Sequence, residues 1–591
     1  MAESLVDTPA HEPAPRVPRQ TRHAPQRLGT AARRVLRTRR RVLAALGAGA
    51  AAAVGSGYLL WGGSDEPGRA ASDRAGSPRD AGAFADRDAS YVQAGGGAVD
   101  LGASGVADTP AQAAQAALAA TPRFPTPLSR DPVLHLLRRA TFGPTSPDVA
   151  EVRREGVDEW LRRQLSPDTV PDDAMERTLA AFPTVNMSIA EVRQHLEQGS
   201  RDAMRELGHA TLARQMWSHR QLFEVMVDFW SNHLNVTNPF DGGWDNRGAY
   251  DREVIRRHAM GRYADLLLAS ARSPAMLRYL DNASSHRRNV NENYGRELLE
   301  LHTVGIEGGY TETDVRHSAY LMTGRTVDDD GEFEYAPRRH WTGRVKVLGF
   351  THENRSSAQG LAVGDAYLSY LAQHPATARN IARKLAVRFV CDNPPPSLVD
   401  RLAKAYLDSG TNIRPVLEVL FRSLELWVAA GLKQRRPLEN FVAAARALSV
   451  QPGPDTAGAA EELYELTERL GQAPLRWGPP NGYPDVAAAW SSAHAMLGVW
   501  NSHRALVQGW HEGLSYTRPE YLAAPRPGTV GAYLDALAHR LVFQPLAPRD
   551  KAALLRFLGA SETSRVASAT LGGRVQHLVP LVLDSVYHAL R

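Results

Sequence analysis

The sequence predicts a mainly α protein: one large multi-helix globular region with a small β-hairpin, preceded by a disordered leader and a signal or anchor helix. Three observations predict it. From Pro132 onward apolar residues recur at helical spacing, as in Val133, Leu136, Leu137 and then Val149, Val152, Trp160, Leu161. Strand-like alternation is confined to Arg344–Phe350 and Phe333–Tyr335, which follow the Gly- and Asp-rich turn at Asp328–Gly331 and are expected to pair. Ahead of all this stand a basic segment, an uncharged apolar run and a Gly/Ala/Asp/Ser-rich stretch.

Residues 1–37 form a basic leader, rich in Pro, Arg and Ala and expected to be disordered. At 38–61, Thr38-Arg39-Arg40-Arg41 opens an uncharged, mainly small or apolar run from Val42 to Trp61. Paired arginines directly before a moderate apolar segment resemble a twin-arginine export signal. About twenty residues is also enough to span a bilayer, so cleavage and retention as an anchor are both open. The implied partner is the export machinery, the implied address extracytoplasmic, and a membrane is contacted through this segment if it is not cleaved. Residues 62–125 are expected to be a disordered linker, and 126–591 the helical domain.

Charge follows the same division. Residues 1–63 hold ten Arg, no Lys and three acids, a net +7 in a chain of +5, so residues 64–591 carry −2. A near-neutral body without zinc-finger or RNA-recognition spacing argues against nucleic acid as a partner. The single cysteine, Cys391, excludes an intramolecular disulfide. Gly-x-Ser-x-Gly, Walker and Rossmann glycine loops are missing, which argues against ordinary lipase, nucleotide and dinucleotide chemistry.

Within the body, helices are expected over 132–141, 146–164, 202–232, 251–259, 292–303, 375–389, 434–448 and 484–511, among others. Ser146-Pro147 reads as a cap followed by proline, and Thr311 with Asp314 as a capping box. Two helices carry most of the polar chemistry. In the first, Arg220, Glu224 and Asp228 fall at successive fourth positions, beside Trp230 and His233; the same stripe also reads as an ion-paired ladder. In the second, Asn293, Glu297 and Glu300 share one face, with Arg296 adjacent. Two carboxylates on a largely apolar helix can raise one pKa and so make a general acid, or both stay ionised around a divalent metal. His302 lies about 140° from Glu297 on an ideal helix, and joins the same centre only if the helix is ending, as Gly305 suggests. Asn289 with Glu292 reads as a capping pair. The spacing is neither that of di-iron bundles nor that of zinc proteases, so cofactor and metal stay open. Among further candidates, His135 and Arg139 lie on the first helix, and His374 precedes a helix bearing Arg383, Lys384 and Arg388. Asn481, Tyr483 and Trp490 belong to a proline-rich segment that reads either as a ligand platform or as a structural corner.

Taken in order, His135-Leu-Leu-Arg-Arg-Ala-Thr-Phe-Gly143, Asp228-Phe-Trp-Ser-Asn-His233, Asn291-Glu-Asn-Tyr-Gly-Arg-Glu-Leu-Leu-Glu-Leu-His302, His374–Arg379 with Arg383-Lys-Leu385, and Asn481-Gly-Tyr-Pro484 with Trp490 resemble the bacterial domain-of-unknown-function family 1800. The resemblance implies an exported protein, often encoded beside a secreted sulfatase-like partner, and no established activity. Arg325 departs from the Thr-Gly-Trp usual in relatives. The functional expectation is an exported envelope or extracellular hydrolase using Glu297 and Glu300 with His233 or His302, in acid–base or metal-assisted chemistry on a carbohydrate polymer. Asn293, Arg296, Asp228, Trp230, His135, Arg139, Asn481, Tyr483 and Trp490 are expected to contact substrate. The alternative is a non-catalytic anchored scaffold that binds a glycan or a partner protein.

Overall fold

The computed structural model describes residues 98–120, 124–509, 513–515, 517–566 and 574–591. The leader, the twin-arginine segment and the linker as far as residue 97 lie outside the described residues. The body is mainly helical, and one contiguous apolar core runs from Leu101 to Leu590, with a satellite cluster around Met175, Leu179 and Phe182. No helix among the described residues is long and apolar enough to cross a membrane.

The expected linker ends earlier than residue 125. Thr109 and Gln112 form a capping box that starts the Pro110–Ala119 helix, which buries Ala113, Ala114 and Ala117. Val106 bridges Ser423, and Arg130 donates to Ala117 O and Ala120 O. Alanine adds little to a hydropathy pattern, yet lets two helices approach closely, so this packing left no strong periodic signal.

The strand pairing also differs from expectation. Arg325–Val327 (β1) pairs antiparallel with Phe333–Tyr335 (β2), and Val345–Val347 (β3) with Phe350–His352 (β4). Between β3 and β4, Leu348 (φ 47°) and Gly349 (φ 96°) both take the left-handed conformation that a two-residue hairpin turn needs. Arg344–Phe350 therefore folds back on the residues that follow it. A third pair joins Gln451–Pro452 (β5) and Leu514–Ser515 (β6).

Two expected helices are interrupted by distant groups, and a third is wound differently. The 202–232 span is two helices, Asp202–Trp217 and Gln221–His233. Asp172 breaks it, accepting from Ser218 Oγ (2.6 Å) and His219 N (3.0 Å). In place of 484–511, a helix runs over Ala493–Gln508, capped by Ser492. The residues before it are held out of helix by Lys433 on Asp485 O (2.5 Å), Asp392 on Ala487 N (2.7 Å) and Trp490 on Pro484 O (2.8 Å). In the span expected at 251–259, Tyr250–Arg256 is wound as a π-helix. Thr145, one residue before the expected cap, forms the capping box with Asp148, whereas the Thr311–Asp314 box stands as read.

Buried arginines join these elements by taking helix-end carbonyls. Arg139 donates to Ala429 O, Arg138 to Val542 O, and Arg435 to Leu590 O. A guanidinium at a helix C-terminus satisfies unpaired acceptors and opposes the negative end of the dipole. Arg139 and His135, expected to contact substrate, are accordingly buried structural partners. His135 Nε2 lies 2.8 Å from Leu426 O, with its ring against Trp427.

Candidate functional site

The C-terminal end of the Gln221–His233 helix sends side chains in three directions. Asp228 meets Arg436 at 2.7 Å. Asn232 exchanges two hydrogen bonds with Tyr483, donating to its carbonyl (2.7 Å) and accepting from its N–H (2.6 Å). Asn235 donates to Trp477 O and Pro479 O. The proline-rich segment is thereby fixed to this helix. Gly482 is required there, because its φ is +72° and a Cβ would stand 2.1 Å from Asn232 O. Within the segment, Asn481 Oδ1 accepts from Trp477 Nε1 (2.8 Å), and the rings Trp477, Tyr483 and Trp490 follow one another at 5.0 and 6.0 Å.

His233 turns inward. Its Nδ1 accepts from Lys384 Nζ (2.9 Å), which assigns the proton to Nε2; that nitrogen lies 3.1 Å from His302 O and 3.2 Å from the Tyr263 hydroxyl. Trp230, fully buried, donates to Ala259 O and stacks on Tyr263. Burial, and then the Lys384 ammonium, hold the His233 imidazole well below its ordinary pKa and push His302 down to about 3. Burial likewise lowers the Lys384 amine to about 8.

The second helix explains why these groups gather. Asn293–Glu297 is α-helical, and Leu298–His302 continues it as a π-turn. Gly295 lies so close to the Glu312–Met322 helix that a Cβ would fall 2.6 Å from Ala319 N, which pins the segment in place. The expected Asn289–Glu292 cap is not formed; Asn291 Oδ1 accepts from Asn293 N instead. A π-turn frees carbonyls that an α-helix would bond, and four side chains take them. Lys384 donates to Leu301 O (3.3 Å), Tyr263 and His233 meet His302 O, and Asn380 donates to Thr303 O (2.7 Å). The buried cluster is a clamp on this turn. His302 contributes its carbonyl, while its ring Nε2 has no hydrogen-bond partner among the described residues.

Glu297 and Glu300 lie outside the clamp, in contrasting surroundings. Glu300 is paired with Arg296 (3.4 Å) and hydrogen-bonded to Tyr310, and Arg296 also holds Glu312 at 2.5 Å. Glu297 makes no hydrogen bond or ion pair among the described residues. It is half-buried near Tyr279, whose hydroxyl donates to Gly478 O (2.5 Å). Burial first, and then the neighbouring Glu300, raise the Glu297 carboxyl to about 7, against a smaller opposing pull from Arg296. Asn293 is exposed, one turn earlier, and donates to Leu280 O (3.3 Å). His233 and His302, expected to work with Glu297, do come together with rings 6.5 Å apart, but in the buried cluster, and neither has Glu297 as a partner.

The expected Arg220–Glu224–Asp228 ladder is replaced by bonds to other elements. Glu224 pairs with Arg256 (2.6 Å), Arg220 donates to Val170 O, and Asp228 joins a buried charge network. At its centre Glu439 is surrounded by Arg388, Arg436 (3.3 Å) and Arg591 (3.2 Å); Lys433 bridges Asp392 (2.8 Å) and Asp485 (3.0 Å). Burial works to raise the Glu439 carboxyl, yet the three guanidiniums outweigh it and hold the group well below the carboxylate range. Among the described residues no group of three His, Cys, Asp or Glu side chains could hold a metal ion.

Tyr263, Asn380, Tyr279 and Tyr310 are not among the candidates that the sequence offers, and Lys384 is one only as part of the basic helix after His374. Lys384 carried a signal in Arg383-Lys-Leu385; the tyrosines, set in apolar helical patterns, read as core. A family model described as Protein of unknown function (DUF1800) matches residues 135–588. No curated protein and no solved structure matches the chain.

Proposed function

Since the chain belongs to the DUF1800 family of proteins of unknown function, we propose its activity from the site itself: acid–base hydrolysis of a carbohydrate polymer, with Glu297 as general acid. One observation carries this reading. Glu297 has no hydrogen-bond or ion-pair partner among the described residues and is raised to about 7, while the adjacent Glu300 is held by Arg296 and Tyr310. A pair of carboxyls in such different environments can divide the work of proton donor and anion. The aromatic run Trp477–Tyr483–Trp490, with Asn481, supplies flat apolar faces and an amide beside the same segment, a chemistry suited to sugar rings. His233, His302 and Lys384 hold the turn that presents the carboxylates. The twin-arginine segment ahead of the body supports export to the envelope, with the export machinery as partner.

The test is reducing-end release from a polysaccharide panel by the wild type, Glu297→Gln and Glu300→Gln. We expect Glu297→Gln to lose about 100-fold or more while staying folded, with an unfolding midpoint no lower than that of the wild type, since a general acid contributes roughly 10²–10⁴-fold. In the wild type, kcat/KM should fall as pH rises through about 7. Undiminished turnover in Glu297→Gln would reject the assignment. The aromatic run also supports the second reading, a glycan-binding scaffold, under which no panel member is cleaved but Trp477→Ala weakens retention on the polymer.

A further inference from the structure

The turn that leads into the carboxylate helix is unusually basic. His286 and Asn289 bridge each other, and Arg287 N donates to Arg339 O at 2.8 Å, which joins this turn to the Pro337–Arg339 turn. Arg287, Arg288 and Arg338 are exposed, and none of them forms an ion pair among the described residues. Arg339, between them, is occupied structurally: it donates to Thr326 Oγ1 (2.9 Å) and Ala283 O (2.8 Å). Other arginines of the neighbourhood are neutralised, Arg296 by Glu312 and Arg316 by Glu292. Three cations on two tied turns therefore keep their charge.

Their place in the chain connects them with Glu297. Arg288 precedes Asn293 by five residues, at most about 17 Å of extended chain. Glu297 follows one turn further on the same helix face, about 6 Å along the axis. The backbones of Arg288 and Glu297 are therefore within about 23 Å of each other, a span that an oligomer of several sugar units covers, and the second turn is tied to the first through Arg287 N and Arg339 O.

We infer that Arg287, Arg288 and Arg338 form a binding subsite for anionic groups, carboxylate or sulfate, on the polysaccharide that Glu297 acts upon. The inference rests on the reading of Glu297 as the acid of a polysaccharide hydrolase, and names the class of its substrate. Guanidinium forks match planar and tetrahedral oxyanions, and unpaired arginines bind them without first breaking an internal pair. A nucleic acid fits less well, because residues 64–591 carry −2 overall. A lipid surface also fits less well, because no exposed large apolar side chain stands on either turn.

The probe is arginine labelling by phenylglyoxal on the full chain, mapped peptide by peptide, so that the arginine-rich leader is read separately from these turns. Tetragalacturonate and a sulfated dextran oligomer supply the carboxylate and sulfate arms; neutral dextran, a DNA oligonucleotide and phosphatidylglycerol vesicles are the comparisons. The expected result is at least threefold protection of Arg287, Arg288 and Arg338 by one or both anionic glycans, reversed by salt, with Arg469 labelled at an unchanged rate. The variant R287A/R288A/R338A should raise the KM for a cleaved anionic glycan at least tenfold with little change in kcat. No protection by either glycan, or protection by DNA or vesicles alone, overturns the inference. Because labelling needs no turnover, protection that persists in Glu297→Gln separates this subsite from the catalytic reading: an inactive wild type with protected arginines rejects only the latter, and an active one with unprotected arginines only the former.

Discussion

Glu297 owes its character to what it lacks. Many exposed carboxylates of this protein are paired, as Glu159 is with Arg162 and Glu312 with Arg296, whereas Glu297 is half-buried beside a like charge. Its carboxyl is raised in the folded state, so its contribution to stability is fully present below the ordinary value of 4.5 and is lost as pH rises through about 7. Glu297→Gln should therefore flatten the stability profile between those values and make the protein more stable than wild type at pH 8, on the order of 2 kcal/mol after allowance for partial exposure. Urea unfolding at pH 4 and pH 8 measures it. A variant that follows the wild-type profile would show that the carboxyl is solvated. The Glu297–Glu300 pair was legible in the sequence, because residues three apart share a helix face. Which of the two stands alone was not, because Tyr310 and Glu312 come from the next loop and helix.

At the scale of elements, the π-turn Leu298–His302 is the unit that needs explanation. It exposes carbonyls that the Pro375–Phe389 helix, through Asn380 and Lys384, and Tyr263 then satisfy. Removing those donors leaves buried acceptors unpaired, at about 1–3 kcal/mol each. Lys384→Met and Asn380→Ala should accordingly speed amide exchange across residues 298–305 by roughly tenfold or more, with little change in the Asp202–Trp217 helix. Uniform acceleration along the chain would mean general destabilisation instead of a local clamp. Lys384 has a second signature. Its amine is lowered to about 8 from 10.5, so the cost of burying its charge is constant at low pH and is relieved as pH rises between those two values. Sequence periodicity placed a helix over 292–303 but could not foresee the change of winding, since donors for the freed carbonyls lie tens of residues away.

For the molecule as a whole, the buried network around Glu439 joins the Gln221–His233 helix, the Pro375–Phe389 helix, the 433–436 segment, the proline-rich segment and Arg591. Neutralising its central anion strands Arg388, Arg436 and Arg591 in the interior. Glu439→Gln is expected to cost about 3–5 kcal/mol, read as a lower denaturant midpoint with an unchanged slope. Glu159→Gln, at an exposed pair, should leave the midpoint unaltered. Equal effects of the two would place Glu439 outside the stabilising framework. The same network explains why the Asp228 motif and the Asn481–Pro484 motif, separated by some 250 residues of sequence, depend on one another.

The mainly helical class, the scarcity of strands, the Thr311–Asp314 cap and the shared face of Glu297 and Glu300 were determined by the sequence alone, because each depends on residues within one or two turns of each other. Tertiary structure decided the rest. Asp172 divided one helix, Lys433 and Asp392 shortened another, and Lys384 met His233 across 151 residues. The histidines expected to work with Glu297 became part of an interior clamp. Long-range donors and acceptors compete with local hydrogen bonds on nearly equal terms, so a buried side chain from elsewhere in the chain can settle where a helix stops, how it winds and which carboxylate is left without a partner.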